Sequence, residues 1–193
     1  MKSVLGNDNL GSKTQMARKA ETYAIVSVGY KEKEDEENSN YFVFAYTGMV
    51  DAAKLLSPHI KVEWHDPNAW DPDAEAKVLR SLISKDVVGI AVSAVDEKIL
   101  TPAINDVVQA GIPVITFDAD APDSDSLTFA GTNNYQAGYQ AGEALARWIK
   151  KRGELAIATM EQASHLDQRV KGFQVAANRQ HIVEPLAAST SLP

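Results

Sequence analysis

The chain has 193 residues, of which 45% are hydrophobic, so it can bury a core and fits one or two domains. Its net charge of −7 disfavours a nucleic-acid binder, which needs a basic face for the phosphates. The absence of cysteine excludes disulfides, thiolate metal sites and a cysteine nucleophile. No apolar run reaches the roughly 18–20 residues of a membrane span. Residues 1–20 are polar, lack an apolar signal core and are predicted to be a flexible segment.

From Tyr23 onward, short apolar runs alternate with segments of helical periodicity. Strands are predicted at Tyr23–Val28, Ile60–Trp64, Val87–Val92, Val114–Phe117, Leu127–Ala130, Leu155–Thr159 and Ile182–Ala187. Helices are predicted at Tyr41–Leu56, Asp71–Lys85, Glu97–Ala110, Asn134–Lys151 and Leu166–Ala177. Asp71 is predicted as an N-cap, Asn133 and Asn134 as capping residues of the fourth helix, Asp96 as either the N-cap or a first-turn dipole partner of the third helix, and Gly111 as its C-cap. This alternation predicts an α/β fold with a doubly wound parallel sheet.

Polar side chains follow the carboxyl ends of the predicted strands, where open parallel sheets bind ligands. Ser93 comes directly after the third strand and Asp118 directly after the fourth, while Tyr41 and Phe42 open the first helix. Carboxylates accept hydrogen bonds from vicinal hydroxyls, and aromatic rings stack on the apolar face of a sugar ring. This combination therefore favours a site for a sugar.

Four segments resemble the type I periplasmic sugar-binding proteins of ABC transporters. They are residues 89–96 (GIAVSAVD), 111–120 (GIPVITFDAD), 131–138 (GTNNYQAG) and 168–173 (QRVKGF). The resemblance implies two Rossmann-like lobes with a sugar in the cleft between them. It places lobe one at residues 21–130 and the beginning of an incomplete lobe two at residues 131–193.

The resemblance also implies which residues contact the ligand. The family has an Asn-x-Pro-Phe-Phe stretch with stacking rings, and here Asn38–Phe42 is similar, with Asn40 in place of the proline. Tyr41 and Phe42 are thus the ring candidates, and the polar candidates are Ser93, Asp118, Asp120, Asp167 and Arg169.

Two departures from ribose-type members disfavour ribose itself. Ala119 follows Asp118 where those members have an arginine, and Asp167 stands where they have another ligand-binding arginine.

The same residue types also suit purely structural roles. Asp118 is a typical turn residue, and Tyr41 and Phe42 fit the core side of an amphipathic helix. Asp120 is suited to supporting its own loop, Ser93 to capping the third helix, and Arg169 to pairing with acidic loop groups.

Motifs for catalysis or cofactors are not found. The sequence has no Gly-x-Gly-x-x-Gly, Walker or Gly-x-Ser-x-Gly motif, so neither an enzyme nor a cofactor is expected. Residues 65–73 contain oxygen and imidazole groups, but they lack metal-site spacing and favour a strand-to-helix connection over a metal loop.

The leading hypothesis is a sugar- or polyol-binding protein for ABC-type uptake. By resemblance it is periplasmic or extracytoplasmic, closes its cleft on the ligand and docks on a membrane permease. The second hypothesis is a ligand-sensing domain of a receptor kinase or transcriptional regulator. The resemblance implies further segments that complete both lobes, so self-association through uncovered apolar surface is expected.

Overall fold

The computed structural model describes residues 20–27, 41–67, 71–150, 156–159, 163–179 and 186–189. The strands are β1 (Glu21–Val26), β2 (Ile60–His65), β3 (Gly89–Val92), β4 (Val114–Phe117), β5 (Phe129–Ala130), β6 (Ala156–Thr159) and β7 (Leu186–Ser189). The helices are α1 (Val43–Leu56), α2 (Pro72–Ser81), α3 (Glu97–Gln109), α4 (Asn134–Trp148) and α5 (Ser164–Arg179), and a 3-10 turn at Leu82–Ser84 follows α2. Three predicted features lie outside the described residues: residues 1–19 of the flexible segment, residues 182–185 of the last strand, and the acidic run 32–37, which its charge predicts to be a solvated loop.

Strands β1 to β5 form one parallel sheet in the order β2-β1-β3-β4-β5. The chain leaves β1 for β2 on one side and then crosses over to β3 on the other side. This confirms the predicted α/β fold, and it puts the switch in strand order between β1 and β3. Ligands of such sheets bind at the carboxyl edge beside this switch.

The two faces of the sheet are covered differently. Ala24, Val26 and Val92 point to the face covered by α2 and α3, where they form the main core. Because side chains alternate along a strand, Phe117 points to the opposite face. There it meets the ring of Phe42 edge-on, with ring centroids 5.9 Å apart.

The predicted amino-terminal caps are confirmed. Asp71 accepts a hydrogen bond from the Asp73 backbone at 2.9 Å, Asp96 accepts from Lys98 at 2.9 Å, and Asn133 accepts from Gln136 at 2.9 Å. At the end of α3 the C-cap is Ala110, and the predicted Gly111 follows it with φ of +89°, a conformation that favours glycine. The N-caps fix where α2, α3 and α4 begin. Each N-cap therefore ends the loop that runs from the carboxyl end of the preceding strand.

Helix α4 packs tightly against α5. Gly138 and Gly142 are one helical turn apart, a spacing that predicts close packing of α4 on a sheet, but the structure places them against α5. A side chain at Gly138 would meet the Arg169 backbone, and one at Gly142 would meet Ala176 and the Phe173 backbone. The remaining sheet is a parallel pair of β6 and β7, and the division into lobes at residues 130 and 131 stays a prediction.

Candidate functional site

A cavity lies at the carboxyl edge of the five-stranded sheet, between the start of α1 and the ends of β4 and β5. Its volume is about 320 Å³, which suits a ligand of monosaccharide size. It is lined by Tyr41, Phe42, Phe44, Ala45, Phe117, Asp118, Ala130, Gly131 and Thr132. The lining thus combines four aromatic rings with one carboxylate.

Tyr41 and Asp118 meet across this cavity. The Tyr41 hydroxyl donates a hydrogen bond to Asp118 Oδ1 at 2.8 Å. This bond, together with the negative charge of Asp118, raises the pKa of Tyr41 above its usual value of 10.0. The other oxygen of the carboxylate, Oδ2, has no hydrogen-bond donor among the described residues.

The backbone of Asp118 places its carboxylate at the cavity. Asp118 directly follows β4 and adopts φ of +59°, which aspartate tolerates better than most residues. Its N–H donates to the Ala130 carbonyl at 3.2 Å, which ties the residue to the end of β5. Asp118 therefore forms the turn predicted for it and also lines the cavity.

Phe42 forms the buried wall of the cavity. Its side chain is 4% exposed and contacts both Tyr41 and Phe117 edge-on. Tyr41, in contrast, is 67% exposed. Of the two predicted ring residues, Phe42 is therefore part of the core, and Tyr41 reaches over the opening.

Ser93 is not among the residues that line the cavity. It follows Val92, which pairs with Thr116, so it stands level with Phe117 and on the same face. Its hydroxyl is buried and has no hydrogen-bond partner among the described residues. Since Asp96 caps α3, the suggestion that Ser93 caps this helix is wrong.

Asp120 turns inward and supports its own loop. Its Oδ1 accepts hydrogen bonds from the Thr116 hydroxyl at 2.6 Å and from the Ala121 N–H at 2.9 Å. The carboxylate therefore stabilises the turn that carries Asp118, which is the structural role that the sequence suggested for it.

Asp167 and Arg169 lie on the first half of α5, beside the cavity and not in its lining. The Arg169 Nε donates to Asn134 Oδ1 at 2.6 Å, which joins α5 to the start of α4. The sequence predicted that Arg169 pairs with an acidic loop group, but its partner is the side-chain amide of Asn134 on α4. Asp167 is exposed and its backbone N–H donates to Ala163.

Charged groups of the cavity and of α5 shift one another's pKa values. The positive charge of Arg169 lowers the pKa of Tyr41 and so opposes the rise caused by Asp118. Burial lowers the pKa of His165, in the first turn of α5, and the charge of Asp118 opposes that shift. The charge of Asp118 thus acts on a residue in the first turn of α5.

Sequence reasoning missed two polar groups near the site. The Ser27 hydroxyl, one residue beyond β1, is buried and has no hydrogen-bond partner among the described residues, like that of Ser93 beside it. The position of Ser27 at the end of β1 is a sequence signal that could have identified it. No such signal marks His165, because neither a motif nor its spacing distinguishes it from the other histidines.

Known proteins share this fold. The family profile of the periplasmic binding protein domain matches residues 34–188. Among the described residues, no helix is long and apolar enough to cross a membrane. No curated protein matches the sequence significantly.

Three solved structures are similar in both sequence and fold. A sugar ABC transporter (sugar-binding protein) from Bacillus halodurans is 33% identical, with a TM-score of 0.74 over 88% of this chain and 55% of its own. GanP, a glucose-galactose binding protein from Geobacillus stearothermophilus, is 30% identical, with a TM-score of 0.76 over 89% of this chain and 59% of its own. AraP, an arabinose binding protein from the same organism, is 30% identical, with a TM-score of 0.67 over 88% of this chain and 55% of its own.

The chain thus spans little more than half the length of these relatives. Its strand order, its cavity at the carboxyl edge and the profile match over most of its length agree with one another. The chain belongs to the periplasmic binding protein domain family.

Proposed function

We propose that this chain binds a neutral monosaccharide or polyol in the cavity at the carboxyl edge of its sheet. The observation that carries the proposal is the pairing of Tyr41 with Asp118 across a cavity lined by aromatic rings. An ionised carboxylate accepts strong hydrogen bonds from ligand hydroxyls, and the rings cover the apolar face of the sugar. Phosphorylated or acidic sugars are disfavoured, because Asp118 repels an anion.

The role of the whole protein follows from the same proposal. The similar solved structures include proteins named as binding arabinose or glucose and galactose, which supports a sugar as ligand and uptake by an ABC transporter as the context. In that role the protein works outside the cytoplasm, closes on its ligand and docks on a membrane permease. Closure is favoured to the extent that α5 adds contacts to the bound ligand.

Isothermal titration calorimetry with pentoses, hexoses and polyols tests the proposal. We expect saturable heat from at least one neutral sugar and none from sugar phosphates. Absence of heat from every member of the panel would refute the sugar-binding function.

Asp118→Asn tests the carboxylate within this experiment. Asparagine tolerates the positive φ of Asp118, so the fold is retained. Loss of a charge-assisted hydrogen bond, worth about 1.5–3 kcal/mol, weakens binding roughly 10- to 100-fold. The matched control is Asp123→Asn, which removes one charge from an exposed position in the same loop and leaves affinity unchanged.

A further inference from the structure

The structure gives the two neighbouring aromatic residues at the start of α1 different tasks. Phe42 is held by packing, because it is buried and contacts Phe117. Tyr41 is largely exposed, and its ring contacts Phe42 edge-on at a centroid distance of 5.1 Å. Its hydroxyl lies 2.8 Å from Asp118 Oδ1, even though water is accessible around it. Packing alone does not account for where this hydroxyl lies.

The Asp118 carboxylate depends on this contact for its orientation. The backbone of Asp118 is tied to Ala130, but its side chain accepts one hydrogen bond from the described residues, and Tyr41 donates it. The last torsion of an aspartate side chain is broad and roughly two-fold, so an untethered carboxylate samples many orientations. A donor on Oδ1 removes that freedom before a ligand arrives, which lowers the entropic cost of binding.

We propose that Tyr41 is a positioning residue for the ligand: its hydroxyl holds Asp118 through Oδ1 and directs Oδ2 toward a hydroxyl of a neutral sugar. This inference rests on the proposed sugar-binding function and adds the means by which the carboxylate is oriented. The Tyr41 hydroxyl then contributes to ligand affinity separately from the aromatic ring that carries it.

The hydrogen bond itself can be tested without a ligand. We expect the Tyr41 phenol, followed by NMR of ¹³Cζ-labelled tyrosine and assigned by its absence in Tyr41→Phe, to titrate above the usual value of 10.0. Asp118→Asn removes both the charge and the strong acceptor and returns the pKa of Tyr41 toward that value. A Tyr41 pKa that does not respond to Asp118→Asn would overturn the proposal.

Binding of the tightest sugar of the panel tests the positioning role. Removing one hydroxyl in Tyr41→Phe should weaken binding about 3- to 10-fold, the range expected for one hydrogen bond. Tyr41→Phe combined with Asp118→Asn should bind no more weakly than Asp118→Asn alone, because the hydroxyl then has no carboxylate to orient. The control is Tyr135→Phe, which removes an equivalent hydroxyl on α4 and leaves affinity unchanged.

The possible results separate this inference from the proposed function. Absence of sugar binding by the unmodified protein refutes the proposed function. Unchanged affinity in Tyr41→Phe refutes the positioning role alone, and tighter binding shows that Tyr41 competes with the ligand for Asp118. If Tyr41→Phe lowers sugar affinity as much in the Asp118→Asn variant as in the unmodified protein, the proposal is also contradicted, because Tyr41 then acts on the sugar directly.

Discussion

Glu75 is a carboxyl group buried in the first turn of α2. It is 0% exposed, and neither of its oxygens makes a well-formed side-chain hydrogen bond with a described residue. Burial raises its pKa from 4.5 to about 8, and the backbone of Val95 opposes this shift only in part. The group is therefore mainly protonated in the folded protein at neutral pH and ionised in the unfolded chain.

This difference makes folding stability depend on pH. The folded-state pKa is raised, so the stability associated with Glu75 is complete below about 4.5 and is lost as the pH rises to about 8. Between pH 5 and pH 7.5, we expect the free energy of unfolding to fall by about 2–3 kcal/mol relative to Glu75→Gln, which carries no proton to lose. Urea unfolding at several pH values measures this difference.

Glu21→Gln is the control for Glu75→Gln, since it replaces an exposed carboxylate at the start of β1. Its pH dependence should match that of the unmodified protein. Parallel stability curves for Glu75→Gln and the unmodified protein would contradict the raised pKa of Glu75.

At the scale of elements, the packing of α4 on α5 depends on glycine. A Cβ atom at Gly138 would overlap the Arg169 backbone, and one at Gly172 of α5 would overlap the Tyr135 backbone. The two helices therefore approach each other more closely than alanine allows. This contact positions the amino-terminal half of α5, which carries His165 and Arg169.

Gly138→Ala should destabilise the protein. Overpacking of a tight contact costs about 1–3 kcal/mol, because the two backbones must separate. Gly48→Ala provides the matched comparison, since Gly48 lies within α1 with nothing near its missing Cβ. That change should stabilise α1 by about 0.5–1 kcal/mol through helix propensity alone.

Thermal unfolding followed by circular dichroism distinguishes the two glycine variants. The expected result is opposite shifts of the midpoint, down for Gly138→Ala and up for Gly48→Ala. Equal upward shifts would mean that α4 and α5 are not in close contact.

At the scale of the whole molecule, large apolar side chains remain in contact with solvent. Leu55 and Leu56 at the end of α1 are 89% and 78% exposed, and Trp148 at the end of α4 is 81% exposed. Exposed apolar surface of this kind favours association.

We therefore expect this chain to self-associate at micromolar concentration. Light scattering coupled to size-exclusion chromatography should give a mass above the 20.9 kDa of one chain. Leu55→Glu combined with Leu56→Glu should shift the mass toward that of the monomer, because the charges oppose burial of this surface. A monomeric mass for the unmodified chain at all concentrations would contradict the expectation.

Much of the fold was predictable because its signals are local. The apolar runs gave β1 to β4 to within a few residues, and Asp71, Asp96 and Asn133 cap helices where their side-chain chemistry predicted. The end of α4 was predicted three residues too late, at Lys151. Helix ends depend on weak final-turn contacts, which periodicity does not report.

The candidate site was predictable only as a set of residues. Position at the end of a strand selected Asp118 and Ser93, and neighbouring rings selected Tyr41 and Phe42. Position at a strand end does not separate a side chain that lines the cavity from one that does not. Asp120 shows the difference, because its carboxylate is engaged by Thr116 and the Ala121 backbone.

By itself, the sequence determined the alternation of strands and helices, the helix caps and the aromatic and acidic groups at one edge of the sheet. Hydrophobic period, turn chemistry and capping are short-range properties that can be read along the chain. Only the tertiary structure decided that Tyr41 meets Asp118, that Ser93 is not part of the cavity lining and that α4 packs on α5. Such contacts join residues far apart in sequence, and they depend on strand order and on the positive φ of Asp118, which no local pattern specifies.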